Sequence, residues 1–437
     1  MKTNVAKKIP AQFTAEGALA ARITPEQRLR RLSATCMLWE DGFYLDGKTT
    51  AQLIAELVAQ VSPEFAAAVA YEARTKQHLR HLPLLIVREM ARLPKHKALV
   101  AMLLPDVIQR ADEISEFVSI YWKDKKQPLS AGVKKGLAAA FQKFDEYALA
   151  KYDRNNAAVR LRDVLFLCHA KPKDKAQEAL WKRLVDGTMA SPETWENQLS
   201  AGADKRETFE AMMAGVKLGG LAWLRNLRGM AEAGVDSALI NAYADVVKLD
   251  RVLPFRFIAA ARHAPVFEPA IEKAMFRSLT ERPKFQGKTV VLVDVSGSMQ
   301  GKVSGKSDIS RLDAAAGVAI VVREICEDAH VFIFSTQVRQ IPARRGFALR
   351  DAIGGANGGT HLGAAVKVMN RYGYDRLLVF TDEQSSDPVG DPVGKRAYMI
   401  NVAANRNGVG YGKWHHIDGW SEAVIDYIQY AEAEGLE

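Results

Sequence analysis

From about residue 25 to residue 280 apolar side chains recur at three-and-four spacing. Segments 50–61, 63–75, 131–144, 160–169, 175–185 and 237–247 carry the pattern, which predicts a long series of short helices. Short breaks separate them, at Ser62-Pro63, Leu82-Pro83, Leu104-Pro105, Gln127-Pro128, Lys171-Pro172, Ser191-Pro192 and Ala264-Pro265. Proline there suits a first helical turn, where its missing N–H costs nothing. No strand pattern interrupts these residues. Because so many short helices cannot wrap one core, stacked helical hairpins forming an α-solenoid are predicted, without an exact sequence period. Residues 1–24 carry few apolar anchors and are expected to form an arm.

Near Arg282-Pro283-Lys284 the grammar changes. Strand-like runs at 288–293, 331–335, 376–380 and 396–401 alternate with helical patterns at 310–326, 361–372 and 421–431. Alternation of this kind predicts a doubly wound, Rossmann-like parallel sheet with helices on both faces. The expected organisation is therefore an arm at 1–24, an all-α helical-repeat domain at 25–283 and an α/β domain at 284–437.

Charge separates the same two parts. Through Phe285 there are 44 Lys and Arg against 33 Asp and Glu, a net of +11, while the remainder has 16 against 18, a net of −2. A basic excess confined to the helical part favours a polyanionic partner there, with a solvated basic surface as the plain alternative. No apolar run approaches the roughly 18 residues of a membrane span, and the first ten residues lack the apolar stretch of a signal peptide. The expectation is a cytoplasmic, monomeric protein with no membrane partner. Cys36, Cys168 and Cys326 are odd in number and far apart, so neither a disulfide framework nor a thiolate zinc site is indicated.

The first strand-like run of the α/β part delivers Asp294-Val-Ser296-Gly-Ser298 into a loop. In doubly wound sheets ligands bind beyond the carboxyl ends of the strands. On that edge lie also the glycine-rich stretch 354–359, which leads into Thr360, and Thr381-Asp382 at the end of the 376–380 run. Asp294, Ser296, Ser298, Thr360 and Asp382 make an all-oxygen set suited to Mg²⁺, or Mn²⁺. The plain alternative is that the serines cap the next helix. A phosphatase-type aspartyl nucleophile would want a second carboxylate where Ser296 stands. The run 408–413 is a poor phosphate loop, with Asn407 for the first glycine and Trp414 where a hydroxyl should bind the cation. No nucleophile and base pair is found, so a catalyst is not expected.

The five ligand positions resemble a von Willebrand factor A domain with a complete metal-ion-dependent adhesion site. That resemblance implies a metal with an open coordination position for an acidic group of a protein partner.

In the helical part three stretches combine basic and apolar residues: Ser130 to Leu137, Lys151 to Lys173, and Leu221 to Arg228. Taken singly, Lys pairs lie on solvated faces and His169 at a helix end complements the dipole. The segments 161–172, 132–136, 73–84, 221–230 and 253–256 together look like successive parts of a TROVE module. With the A domain behind them, the chain from about residue 25 resembles the bacterial form of the Ro autoantigen family. That resemblance implies a ring of HEAT-like helical hairpins closed by the A domain. It further implies binding of small non-coding Y-like RNA, and of single-stranded ends of misfolded RNA, in RNA quality control alongside an exoribonuclease. On matching positions it implies RNA contact by Lys134, Lys135, His169, Lys171 and Lys173, and also by Arg162 and Arg74. The chain departs from the family pattern at Trp39-Glu40-Asp41-Gly42, and at Phe141 and Phe144, where Trp-Tyr would stand. A rival reading is a protein-interaction scaffold partnering an ATPase or another protein through the metal site.

Overall fold

The computed structural model describes residues 13–20, 24–35, 47–153, 157–190, 194–249, 252, 254–280, 282–303, 308–403, 408–418 and 423–433. Cys36, the Trp39-to-Gly42 departure, the Ser191-Pro192 break and Asn407 lie outside these residues. The chain divides into two compact units, one holding Pro25–Trp39 and Gly47–Phe209, the other Met1–Thr24 and Glu210–Glu437.

The first unit is helical, as the three-and-four spacing predicts. Its helices include Pro63–Thr75, His81–Arg92, Lys97–Val107, Asp112–Tyr121, Ala131–Phe141, Leu161–Leu167 and Lys175–Asp186. Their starts are written in local chemistry. Ser62, Ser130, Asp145, Asp174 and Thr194 each accept a hydrogen bond from a first-turn N–H that would otherwise lack a partner. Pro63 stands at the first helical position, but Pro105, read as a helix start, sits in the last turn of Lys97–Val107. That helix packs on Ala131–Phe141, where Gly136 permits close approach: a Cβ there would stand 2.8 Å from Leu104 Cβ. Phe141, one of the departing aromatics, is fully buried and meets Trp181 edge to face at 6.1 Å between centroids.

In the second unit the helices Gly220–Glu232, Ser237–Tyr243, Pro254–His263 and Glu268–Arg277 precede the α/β part. The change to strands comes at Phe285, but the compact units divide earlier, because these helices pack against the α/β elements. Arg262 pairs with Asp313 at 2.6 Å, and Glu272 Oε1 accepts from the Phe347 N–H at 2.7 Å. The helix Arg311–Ile325 lies against Pro254–His263 on one side and the sheet on the other. This explains why twelve of its fifteen residues are buried.

The sheet has six strands, β1 (Phe285–Asp294), β2 (Cys326–Phe334), β3 (Val338–Gln340), β4 (Arg376–Thr381), β5 (Ala397–Asn401) and β6 (His415–Asp418), in the order β3-β2-β1-β4-β5-β6. All pairings are parallel except β2 with β3. β1 is buried from Thr289 to Asp294 and β4 throughout, as befits central strands covered on both faces. Leu362–Tyr372 covers one face, its Leu362, Ala365, Val366 and Met369 packing with Val290, Leu292, Leu377 and Val379. The short edge strands β3 and β6 and the helix Gly346–Ile353 were not predicted. Three or four residues offer too little alternation to reveal a strand.

Candidate metal centre and nucleic-acid interface

The winding of the sheet reverses between β1 and β4, which opens a crevice at their carboxyl ends. Register fixes what stands there. Val293 pairs with Phe380, so Asp294 and Thr381-Asp382 leave the sheet side by side. The glycine-rich loop is laced to the first loop by two backbone bonds, Gly297 N–H to Gly358 O at 2.9 Å and Asn357 N–H to Val295 O at 2.8 Å. It is laced to the third by the Ser386 N–H donating to Thr360 O at 2.8 Å. Three loops distant in sequence thus form one rim.

All five predicted ligands lie on that rim, and Asp294, Ser296, Thr360 and Asp382 are buried. Asp294 Oδ1 accepts from the Ser296 N–H at 2.8 Å and Oδ2 from the Thr381 hydroxyl at 2.6 Å. Ser296 Oγ and Ser298 Oγ stand 3.2 Å apart. Thr360 Oγ1 is buried without a hydrogen-bond partner, which is costly unless something else engages its lone pairs. Burial, and then the neighbouring charge of Asp382, push the Asp294 carboxyl up to about 7. An orphaned hydroxyl beside two buried carboxylates that repel is a donor set a hard divalent cation fits. Such a cation would remove the repulsion and take oxygen from the hydroxyls. Among the described residues no group of three or more His, Cys, Asp or Glu is placed to hold a metal, and the set here draws on the hydroxyls of Ser296, Ser298 and Thr360 beside its two carboxylates.

Sequence reasoning missed three contributors. Thr381 fixes the Asp294 carboxylate. Arg311, also buried, donates to Ser298 O at 3.3 Å and stands 3.6 Å from Asp382 Oδ2. The capping box of Ser310 with Asp313, visible in the sequence, starts the helix that delivers Arg311. Glu383 adopts a left-handed backbone, φ 59°, and pairs with His416 on β6 at 2.8 Å. A strained non-glycine residue directly after a candidate ligand marks a loop held by its surroundings. Trp414, weighed earlier as part of a phosphate loop, is a core residue whose indole N–H donates to Gly390 O.

In the helical unit the candidate RNA residues separate into two groups. The helix Leu161–Leu167 ends at Cys168, and His169 takes the left-handed conformation, φ 53°, that closes such ends. This turn brings its Nε2 to 3.5 Å from Lys134 Nζ on Ala131–Phe141. Gln142 ties the same two elements by donating to Lys171 O at 2.8 Å. His169, Lys171, Lys173 and Lys135 are exposed, and Lys134 and Arg162 are half-buried. Lys134 on Ala131–Phe141 thus meets the segment that carries His169 and Lys171.

Arg74 does not join them. It is buried, donates to both Glu113 oxygens at 2.6 and 2.9 Å and to Val107 O at 3.0 Å, and so ties helices together instead of meeting a ligand. The burial of an arginine paired 39 positions away leaves no trace in local sequence.

The TROVE domain family model matches residues 183–289. This range includes the 221–230 and 253–256 segments; the 73–84, 132–136 and 161–172 segments lie before it. None of the curated proteins matches the sequence. Among solved structures, the chain is similar to the crystal structure of the Deinococcus radiodurans RO (RSR) protein, with 20% identity, a TM-score of 0.60 and coverage of 93% of this chain and 99% of that one. The chain thus matches the TROVE domain model over residues 183–289 and has the fold of the Deinococcus radiodurans RO (RSR) protein.

Proposed function

We propose that the chain is a non-catalytic RNA-binding protein that holds small structured, Y-like non-coding RNA on the Lys134, His169 and Lys171 surface. The observation that carries this is the contact of Lys134 with His169 on the segment that also bears Lys171 and Lys173, where His169, Lys171, Lys173 and Lys135 are exposed. Lysine neutralises phosphates without reading base identity, so recognition follows RNA shape and ends. Single-stranded ends of misfolded RNA are a second substrate in this reading, which includes a role in RNA quality control beside an exoribonuclease. Among the described residues no helix is long and apolar enough to cross a membrane. A cytoplasmic monomer is part of the proposed reading. Filter binding of a small stem-loop RNA across a salt series tests the reading. Binding that weakens steeply with salt, and falls when Lys134, Lys171 and Lys173 are together changed to Glu, supports it. Absence of binding at low salt overturns it.

The built rim at Asp294 favours a second role in the same molecule. Asp294, Ser296, Ser298, Thr360 and Asp382 would hold Mg²⁺, or Mn²⁺, which supplies a hard coordination position for a carboxylate of a protein partner. A partner that binds only with Mg²⁺ and is lost on Asp294→Ala is the expected result.

A further inference from the structure

Residues 13–20 dock on the rim of the metal centre. Thr14 and Ala18 form a tight turn, with Thr14 N–H donating to Ala18 O at 2.9 Å and Ala18 N–H to Thr14 Oγ1 at 3.0 Å, and Phe13 and Leu19 bridge across its base. Gly17, φ 96°, supplies the positive dihedral the turn requires. Glu16 is therefore carried at the tip.

The turn is anchored on the loop just after Asp382. The Thr14 hydroxyl donates to Ser385 O at 2.6 Å, and the Ala15 N–H to Gln384 Oε1 at 2.7 Å. Thr14, Ala18 and Ala20 are buried, whereas Glu16 is exposed. Its Oε2 comes to 4.0 Å from the place a Cβ would take on Gly359, the residue before Thr360. The backbone is thus fixed to the Asp382 loop while the carboxylate stands at the Thr360 loop. Bringing a third carboxylate to a rim that already holds two is electrostatically unfavourable without a cation.

We propose that Glu16 is an acidic ligand that the chain itself supplies to the metal held by Asp294, Ser296, Ser298, Thr360 and Asp382. This rests on the metal-site reading above. With Glu16 in place the position open to an acidic partner is taken, and a partner carboxylate must displace it by ligand exchange.

Titration calorimetry with Mn²⁺ on the full chain, Glu16→Gln and Asp294→Asn tests this, with amide exchange read at Gly17 and Ala18. Removing one charged oxygen ligand is expected to weaken Mn²⁺ binding roughly tenfold in Glu16→Gln. Mn²⁺ should slow exchange at both amides in the wild type but not in Glu16→Gln. Unchanged affinity in Glu16→Gln, with Asp294→Asn still losing the metal, overturns the role of Glu16 alone. Weaker affinity with exchange indifferent to Mn²⁺ means that Glu16 acts only through its charge, and overturns direct ligation. Wild-type protein that takes up no Mn²⁺ overturns the metal site itself, and this inference with it.

Discussion

The Thr381 hydroxyl donates to Asp294 Oδ2 at 2.6 Å across the seam between β4 and β1. The Glu383 N–H in turn donates to the same hydroxyl at 3.0 Å, so Thr381 orients a candidate ligand and the loop carrying Asp382 together. Outer partners of this kind set ligand orientation without touching the metal. Thr381→Val keeps the shape of the side chain and removes the hydroxyl. It is expected to weaken Mg²⁺ binding about tenfold while leaving the fold intact, and calorimetry alongside circular dichroism checks both.

The Asp294 carboxyl, raised to about 7 in the fold, gives a second prediction. The unfolded chain releases this proton near pH 4. Between those values the folded state holds a proton that the unfolded state has lost. The contribution of this group is therefore fully present below about pH 4 and lost as pH rises through about 7. Metal needs the ionised form, so its effect runs the other way. Without metal, stability should fall from pH 5 to pH 8 more steeply in the wild type than in Asp294→Asn. The melting shift caused by millimolar Mg²⁺ should be larger at pH 8 than at pH 5.5. Equal Mg²⁺ shifts at both values would contradict the assignment.

How far the sequence revealed these features depends on how local their causes are. Asp294, Ser296, Ser298, Thr360 and Asp382 were legible because strand ends and loop chemistry are local, and the sheet rule then gathers them on one edge. Helix starts were legible for the same reason, through Ser130 and Asp174. Thr381 was read only as the lead-in to Asp382, because only the β1–β4 register sets its hydroxyl against Asp294. Arg74 was expected, from the family resemblance, to contact RNA. Its pairing with Glu113 is a property of packed helices, and the boundary between compact units likewise follows from the helices 220–277 packing on the α/β part.

That pairing is itself testable. Arg74 and Glu113 are both buried, and removing Arg74 takes the nearest cation from a buried carboxylate that keeps the Gln109 and Arg110 N–H groups and Arg80 at 3.8 Å. Arg74→Ala should destabilise the helical unit by about 3–5 kcal/mol, read as a lower urea midpoint. Under conditions where the variant remains folded, RNA affinity should match the wild type. A stable Arg74→Ala protein with selectively weakened RNA binding would return Arg74 to the interface.

Gly136 links packing to the basic surface. A Cβ there would stand 2.8 Å from Leu104 Cβ and 3.3 Å from Val100 O, the second being backbone that cannot rotate away. Gly136→Ala gains helix propensity, up to about 1 kcal/mol, but overpacking of this kind costs about 1–3 kcal/mol, so the net sign is destabilising. The relief open to the protein is to move Ala131–Phe141 away from Lys97–Val107, and Lys134 and Lys135 travel with that helix. The expected result is therefore a lower melting temperature together with weaker RNA binding, in a variant whose charge is unchanged. Gly136→Ala combined with Leu104→Gly removes the Cβ neighbour and should restore RNA binding more fully than stability, because Leu104 is itself buried in the core and glycine weakens the helix that carries it. Recovery of neither would mean that the position of Ala131–Phe141 does not govern the surface it carries.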